Sequence, residues 1–414
     1  MQRFPGLRPL ALSFISTRMR RHHGRQIFAA GRPTVVLCIH QATRTGAPIV
    51  GLNLAEHLSK NMNVICVFLQ GGELLDTFVN WTIETISPIA GTIQSVLPGV
   101  FATKVLRPIM GRFRVDALLV DSAETAVAAE AASSLGLPTV CLVHEFAQNL
   151  TPQQADGLLS NADLLVFSSH VQRESFISTE IDLASKSLVL AQGKCAVPEK
   201  RDAQGAAALH AEIERKRREG VFLCIGCGYI HPRKGVDLFI AAAAKLKKWR
   251  VPARFLWVGD GFLPSSDPLV SLWLKDQIQR SGLQEVVTIL PAVGGEALQR
   301  LYDEADAMFL SSRLDPLPNV AIDAMHAGLP VVCFDRAGGV AEAFRDDDLL
   351  RTLVAPYYDI DAAAEMLVAL ARDVGLRNRM AVRLRALAAE RFDMGRYATE
   401  IERLLRVTAK SKET

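Results

Sequence analysis

Two aspartates, Asp315 and Asp323, stand eight positions apart in the run SSRLDPLPNVAIDAMHAGLPVVCFDRAGGVAE, residues 311–342. Carboxylates accept hydrogen bonds from vicinal hydroxyls, and the amides of a first helical turn can meet a diphosphate. Pro316 and Pro318 forbid a regular helix from Asp315 onward, so Asp315 belongs on a loop. The helix begins near Pro318, a residue favoured at a first helical position. The N–H groups of Asn319 and Val320 are then free first-turn donors, and Asp323 sits more than a turn in. Gly338-Gly339, after the apolar run VVCF, permit a second close backbone approach. Lys234 supplies a point charge able to neutralise a leaving phosphate, and Arg233 a forked one. Each aspartate alone reads as a cap or a solvated face. Together with Lys234 and the glycine pair, they read as a site for a polar, anionic ligand.

Other residues add to this set with less specificity. Gly46 follows an apolar strand run and opens a helix, a place where backbone can approach an anion. His144-Glu145 follows the run TVCLV. By position alone, a histidine there is more often a structural hydrogen-bonding group than a ligand contact. Cys224-x-x-Cys227 lies in FLCIGCG with no partner at zinc spacing, so it reads as a pair of strand cysteines. Neither Gly226-x-Gly228 nor Gly259-x-Gly261 completes a dinucleotide fingerprint: His231 and Pro264 stand where the third glycine would be. No G-x-x-x-x-G-K-[ST] occurs, which argues against P-loop chemistry.

The elements that must position these residues alternate. Apolar runs at 34–39, 63–69, 116–121, 138–143 and 163–167 read as strands, with helices between them. The alternation restarts at 221–225, 254–258, 286–290 and 307–310, and the chain is helical from about 361 to 407. This is α/β architecture, and 414 residues suit two doubly wound domains. The expected division is a basic tail at 1–32 and an N-terminal Rossmann-like domain at 33–197. A linker at 198–206, a second Rossmann-like domain at 207–392 and a closing helix at 393–414 complete it. The tail carries seven arginines and no acid. It reads first as disordered, and second as a contact with anionic lipid. The apolar stretch 81–110, with Pro88, Pro98 and Pro108, reads as two or three short helices forming a core layer or a membrane-facing patch. A net charge of +3 does not argue for nucleic acid, and seven scattered cysteines fit a reducing compartment.

At this point the residues resemble a family: the retaining glycosyltransferases of family four, glycosyl transferases group 1, with the GT-B fold. Its signature, Glu-x7-Glu before Ala-Met-Ala-x-Gly-x-Pro-Val-Val, is similar to Asp315-x7-Asp323 followed by AMHAGLPVV. Arg233-Lys234-Gly235-Val236-Asp237 resembles the family's basic motif, and Trp257-Val258-Gly259-Asp260-Gly261 its next strand end. Gly46-Ala47-Pro48 and Gly71-Gly72 resemble the acceptor-side domain of the bacterial polysaccharide branch, and residues 391–397 the start of the closing helix.

The resemblance implies two Rossmann-like domains facing a central cleft, with the C-terminal helix crossing back. It implies that Asp323 binds ribose hydroxyls and Asp315 hydroxyls of the transferred sugar. Lys234, helped by Arg233, would stabilise the leaving diphosphate. His144 would contact the donor sugar, reversing the reading from position, and Gly46 would lie by the diphosphate and acceptor. Asn319, Val320, Gly338 and Gly339 complete the donor-binding set. No metal and no cofactor are implied; the donor is a nucleotide-diphosphate sugar. The acceptor is a glycan or lipid-linked saccharide, in surface polysaccharide synthesis. The implied location is cytoplasmic, with peripheral contact at the inner face of the membrane as an extension.

Three positions depart from the pattern. Both signature glutamates are aspartates; Tyr229 and Gly228 stand where an upstream arginine is common; His326 replaces a small residue. Other readings stay open: a non-catalytic sugar-binding subunit of the same fold, a phosphorylase, or a nucleotide-sugar epimerase.

Overall fold

The computed structural model describes residues 18–93, 95–176, 183–199 and 203–411. Two sheets organise them. The first contains β1 (Met19–His23), β2 (Thr34–Gln41), β3 (Asn63–Gln70), β4 (Glu84–Pro88), β5 (Ala117–Asp121), β6 (Thr139–Val143), β7 (Leu164–Phe167) and β8 (Ser187–Val189). Their order is β1-β4-β3-β2-β5-β6-β7-β8. β2 to β8 pair in parallel, and β1 lies antiparallel on β4. Runs such as Val35–Ile39 and Leu118–Val120 are buried throughout, the pattern of a parallel sheet covered by helices on both faces.

The second sheet contains β9 (Phe222–Cys227), β10 (Ala253–Val258), β11 (Val287–Leu290), β12 (Ala307–Leu310), β13 (Val331–Phe334) and β14 (Val354–Ala355). It is parallel, in the order β11-β10-β9-β12-β13-β14. Strand order turns outward from β2 in one sheet and from β9 in the other. Such switch points open crevices at the carboxyl ends of the strands. The segments that follow β2 and β9 carry Gly46 and Lys234.

The helix Met394–Ser411 returns to the N-terminal domain. Its Met394, Tyr397, Ile401 and Leu405 share a core with Val35, Leu37 and Ile49. The outgoing chain is tied beside it: Lys194 N donates to Phe392 O at 2.8 Å. The Asn53 side chain both donates to Ala196 O (2.9 Å) and accepts from Ala196 N (2.8 Å).

The elements differ from expectation in three places. First, the basic tail was expected to be disordered through residue 32. Instead residues 19–23 form β1 because the outer edge of β4 is open, and Asn63 then holds Ala29 and Arg32 by its side-chain amide. Gly24 is required there, since a Cβ would lie 1.7 Å from Thr82 O. Residues 1–17 of that expectation lie outside the described residues. Second, the 81–110 stretch is not all helical. ETISP is β4, whose Glu84 is buried and neutralised by Arg112 at 2.7 Å. Its remainder runs helically over residues 98–110, with a wider turn at Ala102–Leu106 that precedes Pro108, a residue with no N–H to donate. Third, the linker does not extend to 206. The helix Ala203–Glu219 already begins there, polar along most of its length and anchored by buried Leu209 and Ile213. No described helix is long and apolar enough to cross a membrane.

Candidate active site

The C-terminal half of the site is two segments locked together. After β9 the chain makes a short turn, Pro232–Lys234, and Gly235 at φ +67° starts the helix Val236–Lys248. A Cβ on Gly235 would meet Ser311 O at 2.0 Å, so only glycine lets the turn close on the 311–315 loop. Arg313 N then donates to Arg233 O at 2.8 Å. This junction brings Lys234 and Arg233 onto one carboxylate. Lys234 Nζ hydrogen-bonds Asp315 Oδ2, and Arg233 Nη1 lies 3.1 Å from Asp315 Oδ1. Asp315 is buried. Burial pushes its carboxyl up, but Lys234 and Arg233 outweigh that and hold it below the usual carboxylate range.

The expected helix starts where the prolines place it, at Asn319–Ala327 with Pro318 as its cap. The first bonded amides are those of Ala321 and Ile322, both to Pro318 O. The amides of Asn319 and Val320 have no acceptor among the described residues. Asn319 also reaches across to the other domain. Its Oδ1 accepts from Gln192 Nε2 at 2.8 Å, and its Nδ2 donates to Gly46 O at 3.4 Å. Gly46 is the first residue of the helix Gly46–Leu58, so the first residues of two helices, one from each domain, meet at the cleft. A Cβ on Gly46 would find open space.

Asp323 stands apart. Its carboxylate has no hydrogen bond or ion pair among the described residues, and burial pushes it up to about 7, with Lys194 offsetting part of the effect. A mostly buried carboxylate without a partner is costly unless something supplies hydrogen bonds.

The glycine pair has a different neighbour from the one expected. Gly338 was read as room for ligand backbone contact, but a Cβ there would lie 1.9 Å from Asp315 O. The Gly339 N–H is already used, donating to Pro316 O at 2.7 Å. The pair seats the Asp315 loop; it offers no free amide from Gly339.

On the N-terminal side, His144 Nε2 hydrogen-bonds Asp121 Oδ1 at 2.8 Å. Asp121 ends β5 and is completely buried. Burial alone would lower the His144 imidazole; the hydrogen bond to Asp121 and the charges of Asp121 and Glu145 leave it raised. Glu145 clamps the two strand ends. It accepts from Ser122 Oγ (2.6 Å) and from the amides of Ala123 and His144 (both 3.1 Å). Ser122 holds φ +93° within this clamp, a strained value for a residue with a Cβ.

Sequence reasoning missed Asp121, Gln192 and Glu342, and it named Glu145 without a role. Asp121 had a signal, an acid closing the all-apolar strand ALLVD. Glu342 had none. Its carboxylate accepts from the amides of His170 (2.9 Å) and Val171 (2.6 Å), capping a helix of the opposite domain.

This geometry has relatives. Residues 209–386 match the family model described as glycosyl transferases group 1. The chain is 36% identical over 140 residues to D-inositol 3-phosphate glycosyltransferase of Mycobacterium sp. strain KMS, covering 34% of this chain and 30% of that protein. It is 29% identical over 145 residues to mannosylfructose-phosphate synthase of Agrobacterium fabrum, 32% of each chain. The chain thus spans about a third of the length of these curated relatives. Anabaena HepE, solved with UDP and glucose, superposes with a TM-score of 0.72 at 18% identity, over 91% of this chain and 100% of that one. Sucrose-phosphate synthase from Thermosynechococcus elongatus gives the same TM-score and identity over 92% and 100%. These superpositions identify the fold as GT-B.

Proposed function

We propose that this chain, whose residues 209–386 are a group 1 glycosyltransferase domain within a GT-B fold, moves a sugar from a nucleotide-diphosphate donor to an acceptor hydroxyl with retention of configuration. One observation carries the reading. Lys234 and Arg233 gather on Asp315, four residues before a helix start whose Asn319 and Val320 amides are unclaimed.

The donor diphosphate lies on those two amides, where the helix N-terminus favours negative charge. Lys234 moves from Asp315 to the phosphate as charge builds on the leaving oxygen. Arg233 keeps Asp315 ionised, and the freed oxygen accepts hydroxyls of the sugar. Asp323 accepts the ribose hydroxyls, which supply the hydrogen bonds it lacks. His144 has Nδ1 left, because Nε2 is held by Asp121, and it faces the sugar as a donor. The bond from sugar carbon to phosphate oxygen breaks, and the acceptor oxygen bonds the same carbon on the same face. The acceptor proton passes to the departing phosphate, so no covalent enzyme intermediate is needed.

The acceptor is a glycan or lipid-linked saccharide, and the setting is surface polysaccharide synthesis in the cytoplasm, with peripheral contact at the inner membrane face. The HepE complexes, with UDP or UDP-glucose, make a uridine diphosphate sugar the first donor to try.

A panel of nucleotide sugars assayed for slow hydrolysis tests the reading, alongside melting temperatures with nucleoside diphosphates. At least one donor should be hydrolysed and its diphosphate should raise the melting temperature. Absence of both effects across the panel sinks the reading. Stabilisation without hydrolysis favours a non-catalytic sugar-binding subunit, the reading that the mutual neutralisation of Lys234 and Asp315 would suit.

A further inference from the structure

We propose that Glu342 is a positioning residue for sugar transfer: across the cleft it holds the short helix from which the His144 loop hangs, and so fixes His144 relative to Asp315. The proposal rests on the transfer reading above.

Glu342 belongs to the donor side. It lies in the first turn of the helix Gly339–Phe344. The start of that helix is tied to the Asp315 loop: Asp315 N donates to Ala337 O at 2.8 Å, and Gly339 N to Pro316 O at 2.7 Å. A Cβ on Gly339 would lie 3.0 Å from the Ser169 Cβ, so the glycine also lets this turn come close to the opposite domain. There the Glu342 carboxylate takes one amide on each oxygen, His170 N at 2.9 Å and Val171 N at 2.6 Å. Both are charge-assisted bonds, stronger than those between neutral groups.

The helix held in this way, His170–Glu174, carries the His144 loop. Its Gln172 is completely buried. Gln172 Nε2 donates to Val143 O at 2.7 Å and to Glu145 O at 3.0 Å, the carbonyls on either side of His144. Its Oε1 accepts from Ser168 N (2.9 Å) and Ser168 Oγ (3.0 Å), which fixes the amide's orientation. Ala147 N adds a third tie, donating to Ser175 Oγ at 3.1 Å. The path from Asp315 to His144 thus runs through Gly339, Glu342, the amides of residues 170 and 171, and Gln172.

Two observations set this apart from simple helix capping. The helix already has a cap from its own chain, since Ser169 Oγ accepts from Gln172 N at 3.3 Å. Beside the Glu342 carboxylate, the domains are separated by a cavity of about 330 Å³ lined mainly by charged side chains, among them Glu174, Asp335, Arg336 and Arg345. Apolar packing therefore does not set the spacing at this rim, and the two hydrogen bonds do.

The test compares the wild type with Glu342→Gln and Gln172→Met, and each of these with His144→Ala added. All seven native cysteines are buried, so nitroxide labels attach only at Glu174→Cys and Asp348→Cys, exposed on the two domains near the contact. In Glu342→Gln the label distance, measured with and without uridine diphosphate, should lengthen or broaden. Its kcat for donor hydrolysis should fall about tenfold or more, with diphosphate affinity retained. Gln172→Met should lose kcat similarly with the label distance unaltered, because Glu342 keeps its amides. On the His144→Ala background, Glu342→Gln should cost little further, since both act through the same ring. An unaltered label distance in Glu342→Gln, or a loss that multiplies with that of His144→Ala, overturns the proposal. A collapsed melting temperature in Glu342→Gln overturns it too, by making the residue a structural cap. A wild type that hydrolyses no donor fails the transfer reading instead, and the label distance still decides whether Glu342 holds the cleft.

Discussion

The Nζ of Lys234 hydrogen-bonds the Oδ2 of Asp315, so the cation assigned to the leaving phosphate and the carboxylate assigned to the sugar neutralise each other. A donor can engage both only by parting them. Arg233 makes this feasible, because it lies 3.1 Å from the other carboxylate oxygen and remains when Lys234 leaves. The third charge prevents a bare buried carboxylate, which would cost several kcal/mol.

Lys234→Ala is therefore expected to fold, with Asp315 kept ionised by Arg233. Turnover should fall by roughly 100-fold to 1,000-fold, the scale seen when one donor to a developing oxyanion is removed. Steady-state kinetics on a variant with near wild-type melting temperature measures this. Near-normal turnover would remove Lys234 from the reaction.

Two glycines should separate cleanly. Gly338→Ala places a methyl group 1.9 Å from Asp315 O, so the loop must shift and both stability and activity should drop. Gly46→Ala meets nothing in the fold and sits in a first helical turn, so the melting temperature should hold or rise slightly. If the diphosphate passes close to Gly46, activity should still fall about tenfold or more. A Gly46→Ala enzyme with unchanged kcat/KM would mean that no ligand approaches that backbone.

The central strands of both sheets were legible because their apolar runs are long and bounded by polar turns, as at residues 34–39 and 307–310. The outer strands β1, β4, β8 and β14 were not; β8 and β14 are only three and two residues long, and at β4 ETISP carries an acid. Glu84 is tolerated inside only through Arg21 and Arg112, both distant in sequence, and no local window contains that compensation. The same limit applies at the site. Lys234, Arg233, Asp315 and Asp323 were singled out as candidates from residue type and spacing, and the prolines placed the helix start within a residue of where it lies. Their pairing was not, since Lys234 and Asp315 are 81 positions apart. Gly338 was recognised as a close-approach glycine, but the approaching atom is Asp315 O.

Asp121→Asn tests the charge on His144. Asparagine keeps the shape but removes the charge that helps raise the imidazole, leaving burial to lower it. The wild-type imidazole has a folded pKa above its ordinary value. Its stabilising contribution is present below that ordinary value and lost as pH rises through the folded one. Activity that needs the protonated ring should decline over the same upper window. In the variant the decline should move to lower pH, visible in kcat/KM against pH. An unshifted limb would assign the pH dependence to another group.

Asp323 sets stability against binding. Its carboxyl is pushed up to about 7 by burial, against 3.8 for the free group. The folded chain therefore binds a proton that the unfolded chain releases, throughout the interval between those values. Stability from this group is fully present below the unfolded value and is lost as pH rises toward and through 7. Three units correspond to about 4 kcal/mol as an upper scale. Asp323→Asn removes the ionisation. Relative to wild type, it should gain stability progressively from about pH 4 to above 7, read as melting temperatures across that range. The same change replaces an acceptor-only group with an amide whose donor end suits hydroxyl protons poorly. Nucleoside diphosphate affinity at pH 8 should then fall roughly tenfold to a hundredfold. A variant more stable at pH 8 yet weaker in nucleotide binding fits a carboxylate kept buried for ribose hydroxyls. A variant with unchanged affinity, measured by calorimetry, would remove Asp323 from the nucleotide site while leaving the burial argument standing.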